Sequence, residues 1–446
     1  MKRTALLFAL ALLLVACGGD QAHNQSVPDE SLTTRLWSPV AGAATIAYQP
    51  ELPFLQFIAG LDISALPQAA QGRELFIADW TMAPGSRELL DGLGPLFVAQ
   101  ACDSCHLPDR RAAALNDDGS IGTGLLFRLG DEYGNPDPHF GGQLQNRATV
   151  GNPEGTVSWT DGGQGKPIFH IVTANGNLAE GIALGPRQSP QLTGMGLLNL
   201  VPETQILQWQ DSDDANQDGI SGRAHRLYRE GRNCLGRFGW KAMHCTLRGQ
   251  SAGAFLQDMG LTSPPNPDEP CTDQQPICAQ QPSGGSPEVS ERSLAAINEF
   301  LTLLAVPERR ISNIDDFNRG ADLFEQSGCD ACHRPTLITG EHPSFAQLSH
   351  QTIYAYTDLL LHDMGDALAD GVREGDASSR EWKTPPLWGL GVLEGQGESR
   401  FLHDGRAKTL EQAILWHGGE ADSSRRRYQA LNYDERQLLL QFLRSI

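Results

Sequence analysis

Basic residues are scarce in this chain: 34 Lys and Arg stand against 54 Asp and Glu, a formal charge of −20. An acidic surface repels a phosphate backbone instead of releasing its counterions, so nucleic acid is excluded as a partner. The same field favours a basic partner such as a small cationic electron carrier, or serves solubility alone. Long apolar runs are missing too. Beyond the first seventeen residues nothing approaches the roughly 20 apolar residues that a spanning helix needs. The marks of disorder are also absent: 40% hydrophobic content is ordinary for a packed core, and 446 residues allow two or three domains.

Apolar residues do concentrate at the start. Lys2 and Arg3 precede an apolar stretch from Ala5 to Val15, and the stretch ends in Leu14-Val15-Ala16-Cys17. This reads as an export signal whose end resembles a bacterial lipobox, in which the cysteine is acylated. The expectation is a signal peptide over 1–16, lipidation at Cys17 and a polar tether over 17–50. That makes a lipid-anchored, periplasm-facing protein. No Asp follows Cys17 directly, which favours the outer membrane.

Eight further cysteines divide into two Cys-x-x-Cys pairs and a remainder of Cys234, Cys245, Cys271 and Cys278. An even remainder in an exported chain argues for disulfides. Of three connectivities, Cys234 with Cys245 and Cys271 with Cys278 closes the shortest loops. The pairs themselves are Cys102-Asp-Ser-Cys105-His106 and Cys329-Asp-Ala-Cys332-His333. This spacing lets two thiols add across the porphyrin vinyl groups while the adjacent histidine ligates iron, so His106 and His333 are expected iron ligands of two covalently bound haem c groups. A redox dithiol would follow a strand in a βαβ pattern, and a zinc site needs four spaced ligands.

An internal repeat supports two haem units. Phe97 and Phe324 each stand five residues before the first cysteine, at the expected end of a short helix. Ser189-Pro-Gln-Leu-Thr-Gly-Met-Gly-Leu-Leu matches Thr384-Pro-Pro-Leu-Trp-Gly-Leu-Gly-Val-Leu. Helical apolar spacing over 293–306 and 435–446 closes the two copies, and a Pro- and Gly-rich surface loop is expected over 262–290. The expected fold is mainly α: two class-c cytochrome domains in tandem, 51–308 with long loop insertions and 309–446.

Several motifs carry a family resemblance: Tyr356-Thr-Asp-Leu-Leu-Leu-His-Asp-Met-Gly365, Phe401-Leu-His-Asp-Gly-Arg-Ala407, Trp416-His-Gly-Gly-Glu-Ala421, Phe140-Gly-Gly-Gln-Leu-Gln, Asp218-Gly-Ile-Ser-Gly-Arg223 and Gly236-Arg-Phe-Gly-Trp-Lys-Ala242. From about residue 75 to 446 the chain resembles the bacterial dihaem oxidoreductases of peroxidase type, and more distantly the dihaem cytochrome c peroxidases and MauG. The resemblance implies a sixth iron ligand fourteen residues after the His of His403-Asp-Gly, which is His417, with Met364 and His362 as competitors. It also implies that Trp240 lies between the haems as an electron waypoint, with a core Trp as the alternative.

Matching Ile206-Leu207 to Ile414-Leu415 puts Trp209 where His417 stands. The first haem is then open unless His139 or His170 reaches it, and Met195 reads as packing. Glu203 and Arg187 are candidates for acid/base and charge-stabilising work at that open face. Asp214, Asn216 and Asp218 form the front half of a calcium loop, with His225 where an acidic twelfth ligand is expected and a hydrogen-bonded Asx loop as the alternative. The expected function is a dihaem oxidoreductase of peroxidase type. A periplasmic donor such as a small cytochrome or cupredoxin supplies the C-terminal haem, and a small oxidant such as peroxide is reduced at the N-terminal one. A non-catalytic electron-transfer cytochrome, or an oxidant of another protein, is the alternative.

Overall fold

The computed structural model describes residues 39–61, 66–229, 231–397 and 400–446. The export signal, Cys17 and most of the tether lie outside these residues. Eleven α-helices form among the described residues: α1 (Pro67–Ile77), α2 (Met195–Asn199), α3 (Glu203–Leu207), α4 (Leu247–Met259), α5 (Pro276–Ala279), α6 (Glu291–Thr302), α7 (Ile314–Gln326), α8 (Leu390–Gly395), α9 (Leu410–Leu415), α10 (Asp422–Ala430) and α11 (Tyr433–Ser445). Side-chain caps set the starts of α6, α7 and α11. Ser290 accepts from the Ser293 amide and Asn313 from the amides of Asp315 and Asp316, while Asn432 and Glu435 form a reciprocal box. The two closing helices therefore begin two residues earlier than their apolar spacing indicates. The first also stops at Thr302, because Val306–Pro307 pairs in parallel with Thr45–Ile46.

The repeat is real and its marks are glycines. α1 packs on α6 and α7 on α11, and each pair meets at a glycine: a Cβ on Gly72 would lie 2.0 Å from the Ala296 carbonyl oxygen, and one on Gly320 would lie 2.4 Å from that of Leu438. α2 and α8 repeat the device. Gly194 and Gly389 precede them with φ of +67° and +79°, a conformation only glycine takes at little cost. Gly196 and Gly391 then press on the carbonyls of Thr302 and Arg444.

One expected correspondence is wrong. Phe97 is no helix end; it lies in a short strand, Leu96–Phe97, paired with Arg147–Ala148. The partner of Phe324 is Phe76, since Gly72-Arg-Glu-Leu-Phe76 matches Gly320-Ala-Asp-Leu-Phe324. Both rings sit 6.4 Å from their motif histidines, His106 and His333. An insertion between α1 and Cys102 separates in sequence what the fold keeps together.

The expectation of a mainly α fold also needs correction. Among the described residues seven two-stranded ladders accompany the helices, so the fold is mixed α/β with two structurally distinct regions. The longest ladders, Leu125–Gly130 with Ala183–Gln188 and Gly155–Asp161 with Pro167–Thr173, fill the insertion after the first motif. They close a small core of their own around Leu125, Phe127, Leu129, Phe140 and Leu144. The main core runs through both halves and includes Phe76, Phe300, Phe324, Trp388 and Phe442. The disulfides are the two local pairs, Cys234–Cys245 and Cys271–Cys278. Among the described residues no helix is long and apolar enough to cross a membrane.

Candidate haem sites and the space between them

Each Cys-x-x-Cys-His motif begins as a single 3₁₀ turn, Cys102–Ser104 and Cys329–Ala331, and opens onto its own cavity. The cavities measure about 210 Å³ and about 200 Å³. His106 lines the first and donates from Nδ1 to the Pro190 carbonyl (2.9 Å); His333 lines the second and donates to the Tyr356 carbonyl (3.0 Å). These bonds fix the tautomer and leave each Nε2 as a lone-pair donor, the arrangement a metal-bound histidine needs. Burial pushes both imidazoles down to about 4, so they are neutral. The four cysteines are free of disulfides. Burial raises Cys102, Cys105 and Cys329 to about 12, the opposite of a reactive dithiol.

His417 meets the second cavity from the opposite side. Its Nδ1 donates to the Ala413 carbonyl (2.8 Å), and its ring centre lies 6.5 Å from that of His333. Two imidazoles sharing one ion at about 2 Å per bond stand about 6 Å apart centre to centre, so this pair fits a single iron. His362 is committed elsewhere, with Nε2 2.9 Å from Asp358 and Nδ1 2.7 Å from Glu420. Burial alone would lower it, but the Asp358 carboxylate holds it well above the usual histidine range. Met364 lines the same cavity as wall.

The first cavity differs on that opposite side, though not through the residue expected. Arg237-Phe238 corresponds to Arg400-Phe401, each Phe closes a short bridge (with His244 and with Ala407), and Thr246 and Thr409 then cap α4 and α9. Leu247, Gln250, Ser251 and Ala254 line the first cavity as Leu410, Ala413, Ile414 and His417 line the second. The counterpart of His417 is therefore Ala254, which cannot ligate iron. Trp209 lies outside both cavities, packed against the core near Arg334. His139 is bonded to Gln274 and His170 to Thr160, also outside them. Met195 does line the first cavity while packing on the core.

Glu203 is likewise misassigned. It opens α3, accepts the Leu235 amide and lies 3.7 Å from Arg226, away from either cavity. Arg187 does line the first cavity, but its guanidinium is fully engaged by Asp370 (2.6 Å), Glu374 and its neighbouring Pro186 carbonyl. Burial alone would raise the Glu374 carboxyl; Arg187 and Arg128 overcome that and hold it at about 2. Glu374 comes from the second half and lines the first cavity, a residue that sequence spacing gave no means of finding.

Trp240 lines both cavities and donates its indole N–H to the Gln188 carbonyl (2.7 Å). Its ring meets His403 edge-on, and His403 stacks at 3.7 Å on Trp382. Lys241 and Arg187 also lie over the Trp382 ring, at 4.1 and 4.8 Å. In the acidic loop, Asp214 accepts the Gly219 amide, Asn216 that of Asp218 and Asp218 that of Ile220. His225 turns away from the loop to the Lys241 carbonyl (2.7 Å).

No curated protein matches this chain. Among solved structures, the hydrazine synthase of Kuenenia stuttgartiensis under xenon pressure is 14% identical over 91% of this chain and 96% of its own, with a TM-score of 0.34. The family model described as "Di-haem oxidoreductase, putative peroxidase" matches residues 165–446, which include the second motif, His417, Trp240 and α4. The first motif lies upstream of that match and has the same geometry. With well over half of the chain matched, the protein belongs to the di-haem oxidoreductase family and is a two-haem oxidoreductase of peroxidase type.

Proposed function

We propose that both haems are attached through thioethers to Cys102, Cys105, Cys329 and Cys332. In this reading electrons enter at the His333/His417 centre from a small cytochrome or cupredoxin and reduce a small oxidant such as peroxide at the His106 centre. The haems supply one-electron chemistry at iron. The single observation that carries the direction is the contrast at one corresponding position, His417 against Ala254.

The protein's own groups divide the work. His417 closes the second site, as befits an electron relay. Ala254 leaves room beside the first, where Gln250 and Ser251 replace the apolar Ala413 and Ile414. The Gln250 Oε1 is buried with no hydrogen-bond partner among the described residues. Trp240 spans the two cavities and supports a path between them. Two further parts of the reading rest on sequence. Cys17 is lipidated and ties the protein to the periplasmic face of a membrane, the outer one favoured. Asp214, Asn216 and Asp218 hold calcium, supported by their alternating oxygens and by Gly219 at a φ of +83°.

Spectra of the oxidised and half-reduced protein, with and without cyanide or peroxide, test the division of labour. The expected result is one low-spin centre indifferent to ligands and one that binds them. A first centre that stays low-spin and binds nothing at any stage leaves only the electron-transfer role.

A further inference from the structure

The first cavity contains a histidine that no expected ligand set uses. His244 is bridged to Phe238, and its imidazole lines the cavity beside Gln250 and Ser251 of α4. The helix is notched for it. A Cβ on Gly253 would lie 2.6 Å from His244 Cε1 and 3.0 Å from Nε2. In the second half the corresponding positions are Ala407 and Trp416. The first half thus has His in place of Ala and Gly in place of Trp, next to the position where Ala254 replaces the ligand His417. Neither ring nitrogen of His244 has a hydrogen-bond partner among the described residues.

We infer that His244 is the proton-transfer residue of the first centre, an inference that rests on the open-centre reading above. Its imidazole takes the proton of a small protic oxidant bound on the Ala254 side and returns it to the departing atom. For peroxide, the O–O bond breaks as the donor supplies two electrons. His244 moves the proton of the retained oxygen to the leaving one, and two protons from water complete two water molecules. The charged groups around it are Arg128, Arg229 and Glu374; burial and the two arginines keep the imidazole neutral and ready to accept. Positioned acid/base groups contribute about 10²–10⁴-fold.

Stopped-flow binding to the full haem-loaded chain tests this, using peroxide and hydrogen cyanide, which must lose a proton on binding, and carbon monoxide on the reduced protein, which has none to lose. In His244→Leu and His244→Gln, peroxide and cyanide association should slow by about 10²–10⁴-fold. Carbon monoxide binding and the spectrum of the second centre should be unchanged. Unchanged cyanide and peroxide rates overturn the proposal, as does a parallel loss of carbon monoxide binding, which marks a structural role. A resting first centre that turns from low-spin to high-spin in the variants also overturns it, by identifying His244 as an iron ligand. If the unmodified protein binds none of the three at the first centre, the open-centre reading itself falls.

Discussion

Ala254 lies within α4 and His417 two residues past the end of α9, at corresponding positions after the capping threonines, so exchanging their side chains should exchange the character of the two centres. His417→Gly should turn the second centre high-spin and ligand-accessible, read by electron paramagnetic resonance. Ala254→His should make the first low-spin and stop cyanide binding there. A low-spin second centre in His417→Gly would name Met364, on the same cavity wall, as the ligand. The family resemblance led to His417, because the offset it carries from His403-Asp-Gly runs along a single uninterrupted segment. The internal repeat missed Ala254 because the matching helix was sought after Pro202, where α3 stands, and not after Thr246. Two short matches in one register, Arg237-Phe238 with Arg400-Phe401 and Thr246-Leu247 with Thr409-Leu410, carry the correspondence.

Helix crossings in both halves depend on glycine, and the cost of losing it belongs to the element. Gly72→Ala and Gly320→Ala each drive a methyl group into a carbonyl oxygen of the facing helix. Overpacking of this kind costs about 1–3 kcal/mol, and thermal melts should show a drop in Tm of similar size for both variants. Equal stability in either would mean that the helices part easily. The acidic loop makes a second prediction at this scale. An ion bound only by the folded chain stabilises it by mass action, so chelation should lower Tm and Asp218→Ala should remove the sensitivity. No chelator effect leaves an Asx loop held by its own amides. Helix caps such as Ser290 and Asn432 act on neighbouring amides, yet apolar spacing alone started both helices two residues late. The strand Ala183–Gln188 is not legible in the sequence, since Gly185 and Pro186 argue against a strand and only the partner Leu125–Gly130 overrides them.

Across the whole molecule the two halves are joined by charged contacts, Arg223 with Glu381 and Lys241 with Asp370 among them, and by the aromatic ring of Trp240. Arg187 from the first half is held by Asp370 and Glu374 from the second. Removing one partner of a buried pair costs about 3–5 kcal/mol, the loss expected for Glu374→Gln in denaturant melts. The sign with pH follows from a folded carboxyl held at about 2, below its unfolded value of about 4.3. Its stabilisation is complete above the unfolded value and is lost as pH falls through the folded one. The variant should therefore show a shallower loss of stability on acidification between those values; parallel acid limbs would remove Glu374 from the account. Trp240 touches both cavities, so Trp240→Phe should slow electron passage between the centres in flash or stopped-flow reduction. Donor reduction of the second and cyanide binding at the first should be unchanged. Unaltered passage would make Trp240 a packing residue.

What the sequence determined by itself was local in the chain: the two Cys-x-x-Cys-His motifs and the disulfides that close short loops. Each depends on residues whose separation along the backbone leaves few ways to place them. The tertiary structure decided which side chains face the open cavity. Gln250, His244 and Ala254 reach it because α4, not α3, takes the place of α9, and Glu374 reaches it from the other half of the chain. Insertions rich in short strands break the register of the repeat between Phe76 and Cys102 and again between His106 and α4. With the register broken, proximity comes from packing and no longer from spacing.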